Sequence, residues 1–359
     1  MSRLHGAAQI LQAGLLAAST VAASMLSASI PLAASPEVSS PGVSSPGPLN
    51  SSSTPKDPIA QANAALQAGE ADKALTLLQS LPQPVPAQAH NLACRVRFTL
   101  EQWDAAIKEC EQAVRMEKEN SLYHLWLGRA LGEKADRASF VSAFSVAKRV
   151  RAEFEEAVRL DPRNAEALSD LGEFYYDAPG VVGGGMDKAG SVASQLDKIE
   201  PARAHDLRGR IAAAQKDYGT AEREFKQALA ADPHPAFQWV TLASFYRQRQ
   251  RWNEMESAVH NIINSAVHDN HAGVALYDGA GVLTKANRDP QLAAEMLNDY
   301  LASPAKSEEA PAFVAYTRLA RLDAQLGDTA EAQRQRAAAI ALAHDYKPAL
   351  DPALQETKH

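Results

Sequence analysis

The chain has 359 residues, 46% hydrophobic and 22% charged, enough for one long repeat array or two average domains and too apolar for a disordered polymer. A formal net charge of -7 sets it against a phosphate backbone, so nucleic acid is not an expected partner. Abundant Ala, Leu, Glu, Gln and Arg with few β-branched runs favour helix over strand.

Residues 1–34 carry Arg3 and His5, then an apolar Ala/Leu-rich run from Ile10, with Ser27-Ala28-Ser29 as a small-residue cleavage pattern. This reads as a signal peptide and predicts an exported protein, periplasmic or secreted. Ser19, Thr20, Ser24 and Ser27 interrupt the run, so no stable membrane span is expected. Residues 35–58, SPEVSSPGVSSPGPLNSSSTPKDP, form a Ser/Pro/Gly linker that cannot bury a core. The folded part is expected over 59–345, with 346–359 as a C-terminal tail.

Self-similarity then sets the fold. Laying HDLRGRIAAAQKDYGTAEREFKQALAADP (205–233) over WVTLASFYRQRQRWNEMESAVHNIINSAV (239–267) pairs Gly209 with Ala243, Tyr218 with Trp252 and Phe225 with Val259, always 34 residues apart. The same offset pairs His90 with His124 and Cys94 with Gly128. One helix offers bulky and then small residues, as in Trp239, Leu242, Ala243 and Tyr246, while its partner offers Ala221, Phe225 and Ala228. Small residues let two backbones approach and large ones fill the gap. Asp161-Pro162 and Asp232-Pro233 stop the second helices, because a residue before proline avoids the helical region.

In these residues the chain resembles the tetratricopeptide repeat (TPR) family, best over 202–269 and nearly as well in LWLGRAL, FEEAVRLDP and LSDLGEFYY. Weaker units lie at 59–84, 87–119, 274–304 and 313–345, while Lys118, Val267 and His344 depart from the family at its proline position. The resemblance implies an all-α fold, a right-handed α-solenoid of about eight TPR-like helical hairpins, with first helices lining a concave groove.

Two units carry insertions between their helices. In the third, about ten extra residues keep helical spacing through Phe140, Phe144, Ala147, Arg151, Phe154 and Val158, which predicts a lengthened second helix. In the fourth, the extra segment is APGVVGGG (178–185). A phosphate loop needs GxxxxGK followed by Ser or Thr, and here Lys188 is followed by Ala189, so a nucleotide site is not supported. The APGxxGGGxxKA segment is similar to one in other bacterial TPR proteins. Adjacent repeats should set the loop beside the long helix, with Val181, Val182 and Met186 against Phe140 and Phe144, either as a cover or as the wall of a small-ligand pocket.

Chemistry-bearing residues are sparse. Cys94 and Cys110 fall on the two helices of one hairpin, and the expected stagger along the axis favours two buried thiols over a bridge. His260, His268 and His271 sit in or near an inter-repeat turn without the carboxylates or cysteines of a metal site, and neither HExxH nor GxSxG occurs. No catalytic residue, metal or cofactor is expected. The groove is the remaining place for function. Residues at and near the position after the small residue are Asn91, Arg95, Arg129, Glu173, Tyr176, Arg210 and Arg247, a partly cationic stripe suited to an extended peptide or a carboxylate-bearing protein partner. The expected role is that of a non-catalytic protein- or peptide-binding scaffold in the cell envelope.

Overall fold

Glycines and alanines set against aromatic rings bring the helices together in pairs. The described residues of the computed structural model are 57–269 and 272–354, without the side chains of 140 and 141. They form α1 (Pro58–Ala68), α2 (Ala71–Gln79), α3 (Ala87–Thr99), α4 (Trp103–Met116), α5 (Ser121–Arg137), α6 (Phe140–Leu160), α7 (Ala165–Asp177) and α8 (Met186–Leu196). There follow α9 (Pro201–Ala214), α10 (Tyr218–Ala231), α11 (Ala236–Gln248), α12 (Trp252–His268), α13 (Gly273–Ala286), α14 (Pro290–Ala302), α15 (Ala312–Leu326) and α16 (Thr329–Leu342). Successive helices pack as eight hairpins, each against the next, with no strand among the described residues. The fold is the all-α solenoid of TPR-like hairpins that the 34-residue cadence predicts. No helix among the described residues is long and apolar enough to cross a membrane. Residues 1–34, read above as a signal peptide, and most of 35–58, read as a linker, lie outside them.

The repeat has a physical basis at each turn. A Cβ on Gly128 would stand 2.5 Å from the Phe154 ring, and one on Gly209 would stand 2.4 Å from Phe225, so the pairing tolerates no larger residue there. Turns inside the hairpins use a left-handed residue to reverse the chain: Gly69, Glu101, Lys216, Gln250, Asn287 and Gly327. A His–Glu clasp ties first helix to second in three hairpins: His90–Glu109 at 2.7 Å, His124–Glu153 at 2.6 Å and His205–Glu224 at 2.8 Å. The partners are 19, 29 and 19 residues apart in sequence, and the excess in the middle hairpin is its insertion.

Three expectations change. The insertion of the third hairpin does not simply lengthen the second helix, because α5 has 17 residues and α6 has 21 where α9 and α10 have 14 each. Extra turns on both helices bury their apolar faces on one another, which a single overhanging helix could not do. Cys94 and Cys110 are joined in a disulfide with Cα atoms 5.2 Å apart, not held as two thiols. Fully buried Ala106 beside the bridge lets α3 and α4 approach closely enough for it. Residues beyond 345 also belong to the fold, since Tyr346, Ala349 and Leu354 are buried and the Tyr346 ring lies 4.8 Å from Phe313.

The eighth hairpin packs against the first, so the stack closes on itself. One apolar cluster joins Leu66, Leu78, Leu92 and Val96 to Phe313, Ala339 and Tyr346. Glu308, in the loop after α14, accepts hydrogen bonds from Arg95 and from Gln67, the latter at 3.1 Å, and its own backbone N–H donates to Gln67 at 3.2 Å. Gln102 donates to Asp345 at 2.7 Å, and the backbone N–H of His344 donates to Asp72 at 2.9 Å. The two ends of the array are thereby in direct contact.

Candidate protein-binding face

First helices line the concave side of a stack of this kind. Along that side, three of the four arginines of the expected stripe, Arg95, Arg129 and Arg210, are matched by carboxylates. Arg129, on α5, donates from Nε to Asp170 at 2.6 Å and from Nη2 to Glu166 at 3.1 Å, both on α7. Burial alone would lower its pKa, but Asp170 and Glu166 more than offset this and raise it. Arg210, on α9, donates to Asp206 one turn earlier at 2.6 Å, and its pKa is likewise raised against burial by Asp206, Tyr176 and Glu173. Arg95 is engaged by Glu308 across the seam. Arg247 is half-buried, and burial lowers its pKa. Carboxylates of the same or other elements thus offset three of the four cations that sequence places in the stripe.

The other candidates fall as follows. Asn91, on α3, is buried and its Nδ2 finds no hydrogen-bond partner. Glu173 and Tyr176 lie on α7, the tyrosine 6% exposed with its hydroxyl unpartnered. Their neighbour Asp177 has its pKa raised well above the carboxylate range, first by burial and then by Glu173 and Asp136. Glu309, in the loop before α15, is pushed up to about 7 by burial and by the carboxylates of Glu166 and Glu308.

Sequence reasoning named Glu173 but missed Glu166, Asp170 and Asp177. Glu166, Asp170, Glu173 and Asp177 recur at spacings of four, three and four, which puts all of them on one side of α7. That spacing was available as a signal, but the family pattern directs attention to one position per repeat.

The glycine loop is a tightly built turn. Val182 is buried in the core beside Phe144 and Met186, whereas Val181 is 58% exposed, and the Phe140 side chain lies outside the described residues. Gly185 N–H donates to Tyr175 O at 2.7 Å, and Gly184 N–H donates to Pro179 O at 3.2 Å. Gly183 has φ +99°, and a Cβ there would stand 1.8 Å from a guanidinium nitrogen of Arg151 on α6. Lys188 closes the turn by donating from Nζ to Gly183 O at 2.8 Å. Glycine is required here by backbone sign and close approach.

No protein-family model matches the chain. It is 30% identical over 133 residues to Superkiller complex protein 3 of Mus musculus, a match covering 36% of this chain and 8% of that protein's length. It is also similar to a solved structure of a thermophilic TPR protein from Thermus thermophilus, with 19% identity, TM-score 0.45, and coverage of 52% of this chain and 96% of that one. A second likeness is to the C-terminal part of a TPR repeat-containing protein from Cytophaga hutchinsonii, with 15% identity, TM-score 0.38, and coverage of 70% and 97%. The hairpin architecture rests on the helices themselves and not on these scores.

Proposed function

We propose that this chain is a non-catalytic, TPR-type scaffold of the cell envelope that holds another protein through its inner face. The observation that carries the reading is the inner face, where charged residues recur at one position on successive first helices, Arg95, Arg129, Glu173 and Arg210. Such an array supplies many preorganised contacts to an extended segment of a partner. The leader-like sequence of residues 1–34 supports export, and the Cys94–Cys110 bridge suits an oxidising compartment.

The test places a photo-crosslinking residue at Ser169 on α7, inner side, or at Arg223 on α10, outer side, followed by mass spectrometry of envelope fractions. A partner captured from 169 and not from 223 is the expected result. Equal capture from both positions, or capture from 223 alone, rejects the inner face as the binding surface. Recovery of the chain from the cytoplasmic fraction alone rejects the envelope assignment.

A further inference from the structure

Three side chains able to ligate a metal meet at the seam. Asp72 lies in the first turn of α2, and His344 and Asp345 lie in the turn after α16. One donor atom from each stands within 4.8 Å of the other two. No motif announces the group, because Asp72 and His344 are 272 residues apart and meet only when the eighth hairpin packs on the first.

The backbone beneath the cluster is pinned. Ala343 and Tyr346 are buried, and the Tyr346 N–H donates to the Ala343 carbonyl at 3.1 Å. His344 and Asp345 therefore occupy the middle of a tight turn, with both side chains exposed. Each ligand is also oriented by a neighbour. The two oxygens of Asp72 accept from the His344 backbone N–H and from its imidazole Nδ1, each at 2.9 Å. Gln102 donates to Asp345 at 2.7 Å, and Arg97 donates to Gln102 at 2.9 Å. Outer partners of this kind fix the direction of ligating carboxylates.

The donor set selects the ion. Two carboxylates and a neutral imidazole carry two negative charges, which a divalent cation balances. Calcium and magnesium take oxygen ligands, whereas an imidazole beside carboxylates suits zinc and its transition-metal neighbours. The Nδ1 proton of His344 bridges imidazole and Asp72. An ion taking the place of that proton needs the two donors about 3.4 Å apart at ordinary zinc bond lengths, a shift of about 0.5 Å. The His344 side chain is 75% exposed, which leaves the remaining coordination positions to water.

The geometry points to a divalent-ion site of the zinc class formed by Asp72, His344 and Asp345, which clips the last hairpin to the first. It does not depend on what the inner face holds. An ion that binds the closed seam and not an open one stabilises closure by mass action.

The experiment titrates Zn²⁺ alone into the full chain, purified without a histidine tag and stripped with chelator, and follows it by calorimetry. His344→Ala and Asp345→Asn should each weaken zinc binding about tenfold or more, and His268→Ala should leave it unchanged. Asp345→Asn keeps an oxygen acceptor for Gln102, so its metal-free melting temperature should match the parent's and lost binding would not reflect an opened seam. Bound zinc should slow amide exchange in α2 and in 343–346 of the parent, and not in Asp345→Asn. Absence of zinc binding, binding that survives His344→Ala, or tighter binding of Ca²⁺ than of Zn²⁺ overturns the site. Zinc binding that leaves exchange at the seam unchanged overturns the clip.

Discussion

The junction between the third and fourth hairpins and the seam between the eighth and the first are both places where one hairpin packs on another, yet they are built differently. The junction has an apolar core, with Val150, Phe154, Leu168, Leu171 and Val182 buried in one cluster, and polar ties between residues about twenty to forty apart, Arg129 to Glu166 and Asp170 and Tyr175 to Glu155. The seam likewise has apolar contacts around Phe313 and Tyr346, and its polar bonds join Arg95, Gln67, Gln102 and Asp72 to groups more than two hundred residues away in sequence. Neighbouring hairpins are held near each other by the chain, whereas the two ends must be brought together at an entropic cost that grows with separation. At the junction the short connection already limits which surfaces meet, whereas at the seam directional polar bonds between distant segments must select them.

The largest expected effect breaks the junction. Phe154→Ala, at a fully buried ring set against Gly128, should cost about 3–5 kcal/mol in chemical denaturation and lower the stability of the whole stack. A loss confined to one hairpin would mean that the stack is less cooperative than its shared core implies. Opening the seam should be milder and local. Glu308→Ala removes the shared acceptor of Arg95 and Gln67, and a cost of about 1–3 kcal/mol is expected. Amide exchange should accelerate in α1, α2, α15 and α16 and stay unchanged in α7 to α9. Uniform acceleration would show that closure supports the entire array.

The seam should also respond to pH. His344 donates from Nδ1 to Asp72 at 2.9 Å, and that bond raises its pKa from the ordinary 6.5. A raised folded-state pKa means that the contribution is fully present below the unfolded value and is lost as pH rises through the folded one. Protection of the His344 amide should therefore fall between mildly acidic and alkaline buffer, and Asp72→Asn should flatten the response. Because His344 is exposed, this effect should be small. The smallest change concerns the turns. Lys216 and Gln250 hold φ of 64° and 54°, where glycine is free of the Cβ penalty. Lys216→Gly and Gln250→Gly should each raise stability by up to about 1 kcal/mol, read from the denaturation midpoint. A decrease would show that the lysine or glutamine side chain contributes more than its backbone strain costs.

The glycine loop and the acidic side of α7 show how unevenly the chain's chemistry is legible. FYYDAPGVVGGGMDKAG has the densest local signal in the chain, and the structure accounts for its glycines by turn geometry: a positive φ at 183 and close approach of Arg151 and Ala178. The acidic side has no motif beyond four acids spaced four, three and four apart, and such spacing alone fits a solvated face. The arginines misled for a related reason. Sequence shows that Arg129 is cationic, but its match with Glu166 and Asp170, about forty residues on, depends on how α5 and α7 stack.

The sequence alone determined the hairpins, their number and their spacing. Those depend on local chemistry: small residues facing large ones at a 34-residue cadence, and Asp-Pro stops after α6 and α10. Only the tertiary structure decided that the ends meet, that the two cysteines join and that Arg129 is matched by Glu166 and Asp170. Each of these is a distance between groups on different helices, and a one-dimensional repeat leaves such distances free until every hairpin has stacked on its neighbour.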